Sequence, residues 1–122
     1  MRRVVLLALT SMILPTMGLA DCPDAESHAE DAYKYARRAY NASDLAELHE
    51  NAKKAMNAAS EAESEASSCN CDDAESAASD AYSYARKAYR SEEFDEAQNY
   101  ARKARNAADE IRSALEACDD EN

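Results

Sequence analysis

A gapless internal duplication bounded by cysteines is the feature that most constrains this chain. Residues 22–69 align with residues 71–118 at a period of 49 without any insertion, and 24 of the 48 aligned pairs are identical. Cysteine falls on cysteine at both ends of the alignment, and Asn70 alone separates the two copies. The sequence therefore predicts two similar units, each with a cysteine at its beginning and at its end.

Each copy has the pattern of two antiparallel helices with a seam of small residues. Apolar residues recur in steps of three and four, the spacing of one helix face. Alanine, the strongest helix former, supplies 26 of residues 21–122, which contain no glycine. We expect the first turn near residues 41–44, with Ser43 and Ser91 as N-caps and Pro23 opening the first helix. The predicted fold is all-α, with two tandem Ala-rich antiparallel helical hairpins and four helices in total.

The four cysteines lie on this seam, in phase with the alanines, and an even number in a small exported chain indicates disulfides. Mirror pairing along the seam places Cys22 opposite Cys69, and the duplication then places Cys71 opposite Cys118. The rival pairing, Cys69 with Cys71 and Cys22 with Cys118, would strain a very small ring and ignore the duplication. We therefore predict one disulfide per hairpin. The midpoint between the paired seam positions lies slightly beyond the expected turn. The pairing of Cys22 with Cys69 therefore predicts an extended stretch around Cys22.

Residues 1–20 have the pattern of a secretory signal peptide. Arg2 and Arg3 give a basic start, an apolar run follows, and small residues precede a cleavage position after Ala20. The apolar run is too short for a membrane span. The segment Leu19-Ala20-Asp21-Cys22 has a lipobox-like form, but Asp21 occupies a position where a small residue is required.

The predicted mature chain consists of hairpin repeat 1 over residues 21–69 and hairpin repeat 2 over residues 70–122. We expect a periplasmic or secreted location, without membrane insertion of the mature chain. The mature part carries 12 Lys and Arg against 25 Asp and Glu, a net charge of −13, which disfavours binding to nucleic acid and to anionic membranes.

No catalytic constellation is found, so we predict that the protein is not an enzyme and needs no cofactor. Without glycine, the mature part has neither a phosphate-binding loop nor a nucleophile elbow. His28 and His49 are replaced in the second copy by Ala77 and Gln98, and no sequence feature places either beside a nucleophile. The acidic runs lack the spacing of a Ca²⁺ loop and the cysteines are assigned to disulfides, so no metal site is predicted.

Part of the second copy resembles a tetratricopeptide helical hairpin. The resemblance lies in Tyr84-Ala85, Tyr89, Phe94-Asp95-Glu96-Ala97 and Tyr100-Ala101-Arg102-Lys103-Ala104. It covers the small residue of the first helix, the aromatic residue before the turn and the Glu-Ala opening of the second helix. The period of 49 departs from that family's period of about 34, and the closing proline is missing. The resemblance implies an αα-hairpin used for protein–protein contact.

Tyrosines and basic residues are the candidate binding groups. Tyr33, Tyr40, Tyr82 and Tyr89 flank the alanine seam and are interpreted as packing one hairpin against the other. Tyr35, Tyr84 and Tyr100 are equally compatible with packing and with a groove that binds a peptide or helix.

Eleven basic residues form a belt that folding of the hairpins is expected to bring near the turns, with acidic residues at the cysteine end. The simpler interpretation of this belt is helix-dipole complementation and ion pairing on solvated faces. The functional one is an anionic partner or head-to-tail self-association. The candidate interaction surface consists of Tyr35, Tyr84, Tyr100, Arg37, Arg38, Arg86 and Lys87.

The leading hypothesis is a non-enzymatic exported helical-repeat protein that acts as a protein-interaction or structural module. Its partner would be an unidentified protein or a second copy of the chain. The alternative is a small ligand- or ion-binding protein that uses the groove between the hairpins.

Overall fold

The structure is a computed structural model and describes residues 22–121, with side chains to Cys118. The predicted signal peptide lies outside the described residues. Four helices account for most of the described chain, in agreement with the predicted all-α class. They are α1 (Pro23–Tyr40), α2 (Leu45–Ser68), α3 (Asp72–Arg90) and α4 (Phe94–Glu121).

The helix starts agree with the sequence prediction at Pro23 and differ at the serines. Cys22 is the N-cap of α1, and proline occupies the first turn, where its missing N–H costs nothing. Asp44, not Ser43, caps α2, because its carboxylate accepts a 2.8 Å hydrogen bond from the Glu47 backbone N–H. The Ser43 backbone N–H donates to the Glu47 carboxylate at 3.0 Å. Ser91 caps the C-terminus of α3 and does not act as the N-cap of α4.

Asn70 turns the chain from the first hairpin into the second. Its φ of 62° lies in the left-handed region, which asparagine tolerates better than other residues with a side chain. The Cys71 N–H donates to the Ala66 carbonyl and the Asn70 N–H to the Ser67 carbonyl, the two bonds of a Schellman motif. This motif ends α2 and reverses the chain over residues 69–71, so α3 runs antiparallel to α2.

The four helices form a closed ring with up-down-up-down topology. Each helix packs against its chain neighbours, and α1 also packs against α4, whereas the diagonal pairs touch little. The middle of the core is a layer with one alanine from each helix, composed of Ala36, Ala55, Ala85 and Ala104. Because these side chains are single methyl groups, the helices can approach closely at this level.

Both predicted disulfides are present, Cys22–Cys69 and Cys71–Cys118, each with a sequence separation of 47 and a Cα–Cα distance of 6.0 Å. The expected extended stretch around Cys22 does not continue after it, since α1 begins at the next residue. The offset between this pairing midpoint and the turn is explained by helix length, because α2 has 24 residues and α1 has 18.

The core departs from the duplication at its largest side chains. Leu48, Ile111 and Leu115 are the fully buried leucine and isoleucine residues, and their counterparts in the other copy are all alanines. Ile111 and Leu115 share one buried cluster with their counterparts Ala62 and Ala66. Each large side chain thus fills space beside a small one, the complementarity that close packing requires.

Two residues that differ between the copies tie one hairpin to the other. His49 Nε2 lies 2.7 Å from the carbonyl oxygen of Ser91, and Gln98 Nε2 donates to the carbonyl oxygen of Tyr40 at 3.0 Å. Because a carbonyl oxygen only accepts, His49 carries its proton on Nε2. The sequence left these residues without a role, and the structure places both between the hairpins, next to a chain turn.

Candidate functional site

Two tyrosines and two lysines form a compact cluster in the groove between α3 and α4. Lys87 Nζ lies 5.8 Å from the ring centre of Tyr84 and 5.7 Å from that of Tyr100. Lys103 Nζ has the same two distances. In each helix the tyrosine precedes the lysine by three residues, so both side chains lie on one helix face. We call these four residues the cation–tyrosine cluster.

The first hairpin has a related arrangement around Tyr35 alone. Lys34, Arg38 and Lys54 place their charged groups 5.3 to 5.6 Å from the centre of its ring. Asn51 stands at the position that Tyr100 occupies in the second copy. On the ring of helices, the α1–α2 groove and the α3–α4 groove lie on opposite sides of the bundle. The protein therefore has two basic aromatic surfaces, of which the one between α3 and α4 has two tyrosines.

The other four tyrosines lie against the core or against residues of the other hairpin, the positions that packing between the hairpins predicts. Tyr33 and Tyr40 of α1 lie under Arg112 and Arg105 of α4, and Tyr89 of α3 meets His49 of α2 edge to face. Tyr82 packs against the core. None of the seven tyrosines is buried, and Tyr89 is the most exposed, at 36%.

The basic belt begins in the last turns of α1 and α3, which agrees with the expected position near the turns, and extends toward the middle alanine layer. Its residues are Lys34, Arg37, Arg38, Lys53, Lys54, Arg86, Lys87, Arg90, Arg102, Lys103 and Arg105. Exposed carboxylates lie at the turn end as well as at the disulfide end. Those at the turn end are Asp44, Glu47, Glu50, Glu92, Glu93, Asp95 and Glu96.

Most belt cations have no carboxylate partner. Among the residues that the structure describes, only Lys34 and Lys54 of the belt form ion pairs, with Asp31 at 3.9 Å and Glu50 at 3.8 Å. Several of the others lie over tyrosine rings instead. Ion pairing within the chain therefore does not account for the belt.

A groove of about 400 Å³ adjoins the cation–tyrosine cluster and is open to solvent. Its lining is mostly basic and polar, with Ser83, Arg86, Lys87, Arg90, Ser91, Glu96 and Tyr100. The single carboxylate, Glu96, already accepts a hydrogen bond from the Ser91 hydroxyl at 2.9 Å. Of the predicted interaction residues, Tyr100, Arg86 and Lys87 line this groove, and Tyr84 lies beside it in the cation–tyrosine cluster. Tyr35, Arg37 and Arg38 belong to the first hairpin.

A second group of polar side chains lies toward the disulfide end of the first hairpin. His28 Nδ1 of α1 is 2.7 Å from Glu65 Oε1 of α2, and both side chains are about one-third exposed, at 34% and 28%. The hydrogen bond that His28 donates to the Glu65 carboxylate raises the pKa of His28 above its usual 6.5, against a smaller lowering by burial. The negative charges of Glu65 and Glu61 and the Asp24 backbone also raise this pKa.

We expect an NMR titration of the metal-free protein to give a His28 pKa above 6.5, and the Glu65→Gln variant to give a lower one. The ion pair contributes stability fully below pH 6.5, and that contribution disappears as pH rises through the higher folded-state pKa. The contribution is small because solvent screens a pair this exposed. An unchanged His28 pKa in Glu65→Gln would contradict the assignment.

Comparisons with family models, with curated proteins and with solved structures find no match to this chain. The tetratricopeptide resemblance therefore stays a prediction. The interior of the ring of helices is filled by alanine and a few larger side chains. The grooves on the outside of the bundle are therefore the surfaces open to a partner.

Proposed function

We propose that this protein is a non-enzymatic, exported interaction module that binds an acidic segment of another protein through the cation–tyrosine cluster and the adjoining groove. The observation that carries the proposal is a set of cations there that form no ion pair among the residues the structure describes. Arg86, Lys87 and Arg90 line the groove with Tyr100, and Lys103 and Tyr84 lie beside it in the cation–tyrosine cluster. Such a surface offers charge, hydrogen-bond donors and aromatic area to a carboxylate-bearing chain.

Export is supported by the form of residues 1–20 and by the two disulfides, which persist in oxidising compartments. Among the described residues, no helix combines the length and the apolar character that crossing a membrane requires. We assign the mature protein to the periplasm or to the medium.

An interaction role is favoured over catalysis by the positions of the two histidines. His28 hydrogen-bonds to Glu65, and His49 uses Nε2 to hold the carbonyl of Ser91. Both are therefore engaged in bonds between helices, and neither is offered to a substrate together with a nucleophile.

An acidic partner is favoured over self-association by the distribution of charge. A head-to-tail contact between two copies would bring the acidic disulfide end against the seven exposed carboxylates of the turn end, and like charges repel. The belt cations lie on the outer faces of the helices, so an extended segment reaches them from the side. The groove is open to solvent, which favours such a segment over an enclosed small ligand.

The test uses ¹⁵N-labelled mature protein and two short peptides, one rich in Glu and its Gln-substituted counterpart. We expect the Glu peptide alone to shift amide signals around Tyr84, Lys87, Tyr100 and Lys103. Each exposed charge pair contributes about 0.2 to 1 kcal/mol, so the loss of two pairs in Lys87→Gln/Lys103→Gln should weaken binding by about two- to thirtyfold.

The matched control is Arg37→Gln/Lys53→Gln, which removes the same charge from the first hairpin and should leave binding within about twofold. Circular dichroism of every variant checks that the fold is retained. Shifts spread over the whole belt, or an equal loss of binding in both double variants, would show nonspecific attraction and defeat the proposal.

A further inference from the structure

His28, Glu61 and Glu65 bring three potential metal ligands together on the outside of the first hairpin. One ligand atom from each lies within 4.8 Å of the other two. The histidine comes from α1 and both glutamates come from α2, so the group exists only in the folded hairpin. The sequence predicted no metal site, because these residues are far apart in the chain and follow no metal-binding motif.

The register of the disulfide-linked hairpin accounts for this convergence. The Cys22–Cys69 bond and the shared alanine layers set residue 28 opposite residue 63. Glu61 and Glu65 stand on either side of that level, four residues apart and therefore on one face of α2. The small seam side chains Ala29 and Ala62, both fully buried, keep the two helices close enough for the side chains to meet.

We propose that these three side chains form a binding site for a divalent transition-metal ion of the Zn²⁺ class. One imidazole nitrogen and two carboxylate oxygens make a mixed donor set that suits Zn²⁺ and leaves a coordination position for water. Mg²⁺ and Ca²⁺ prefer all-oxygen ligands, and a nitrogen donor selects against them. A metal ion that binds here displaces the proton of the His28–Glu65 hydrogen bond into solvent. Both side chains then coordinate the metal ion instead of bonding to each other.

The His28–Glu65 ion pair by itself would explain two of the three residues. Glu61 is not required for that pair, yet one of its carboxylate oxygens lies within 4.8 Å of the ligand atoms of both partners. This third convergent oxygen distinguishes a chelating site from an ordinary surface ion pair.

The second hairpin supplies a control inside the same molecule. Glu110 stands at the position of Glu61, but Ala77 and Ala114 replace His28 and Glu65. The same helix pair is therefore present without two of the ligands. His28→Ala and Glu65→Ala introduce residues that the second copy already has at these positions, so the fold should tolerate them.

The experiment is calorimetric titration of tag-free, metal-stripped, disulfide-bonded mature protein with ZnCl₂ at pH 7.5 in the presence of excess Mg²⁺. We expect one Zn²⁺ per chain, and a shift of the His28 ring signals in a parallel NMR titration. His28→Ala and Glu65→Ala should each weaken binding by at least about tenfold, because the loss of a ligand costs no less than the loss of a second-shell contact. Glu110→Ala, which removes the same charge as Glu61→Ala, should change nothing.

A gain-of-function variant makes the test independent of lost stability. Ala77→His/Ala114→Glu rebuilds the group beside Glu110 and should raise the stoichiometry from one to two. Binding that survives His28→Ala, that Mg²⁺ competes away, or that is absent would overturn the proposal. The site lies outside the cation–tyrosine cluster, so its failure leaves the proposed partner surface untouched.

Discussion

Reduction of both disulfides is expected to unfold this protein at 25 °C. Each bond closes a loop with a sequence separation of 47, which corresponds to about 4 kcal/mol in the chain-entropy model. A domain of this size has a total stability of about 5 to 15 kcal/mol. Most buried side chains here are alanines, and each buried methyl contributes only about 0.8 kcal/mol, so the core leaves little reserve. The measurement is a urea titration followed by circular dichroism, with and without a reducing agent.

Removal of one disulfide at a time tests the same prediction without a reducing agent. Cys22→Ala/Cys69→Ala and Cys71→Ala/Cys118→Ala should each lower the free energy of unfolding by about 4 kcal/mol. Because the four helices share one core, both variants should lose stability over the whole bundle in one transition. A loss below about 1 kcal/mol in both variants would show that helix packing alone suffices.

Ile111→Ala is expected to lower the free energy of unfolding by about 3 to 4 kcal/mol. Ile111 is fully buried, and it is one of few large side chains in a core otherwise made of methyl groups. Neighbouring alanines cannot rearrange to fill the space, because they have no rotamers to change, so a cavity would remain. Chemical denaturation measures the loss.

A double-mutant cycle with the counterpart residue identifies the cause. Ala62→Ile alone should overpack the same cluster and lower stability by about 1 to 3 kcal/mol. Ile111→Ala/Ala62→Ile moves the large side chain to the equivalent position in the other copy, so its loss should be smaller than the sum by at least about 1 kcal/mol. Strict additivity would contradict the view that the two positions share one packing space.

Much of the fold could be predicted from the sequence, because it follows from local periodicity. The alanine seam, the helix start at Pro23 and the two disulfides are direct consequences of residue spacing within one hairpin. Ser43 and Ser91 were wrongly assigned as N-caps. Asp44 follows Ser43 and caps α2, and Ser91 lies too far before Phe94 to cap α4. Ala58, Ala77 and Ala107 were not assigned to the core. Each precedes a seam alanine in the sequence, a pairing that widens the apolar stripe.

The candidate site was predictable only in its residue types. Tyr84, Tyr100 and Lys87 were predicted as candidate binding groups, but their meeting with Lys103 depends on the angle between α3 and α4. The convergence of His28 with Glu61 and Glu65 was not predictable, because 37 residues separate His28 from Glu65 in the chain. Spacing along one helix is fixed by the helix itself, whereas spacing between helices depends on how they pack.

The sequence by itself determined the clasped alanine hairpins, since heptad-like steps, alanine content and cysteine phase are all encoded within 49 residues. Only the tertiary structure decided that the two hairpins close into one ring, with Gln98 and His49 bridging them. It also decided which tyrosines contact the other hairpin and which contact cations in the outer grooves. The physical reason is that alanine packs against almost any apolar neighbour. An alanine seam therefore specifies that helices associate, but it does not specify which helix faces stay exposed on the outside of the bundle.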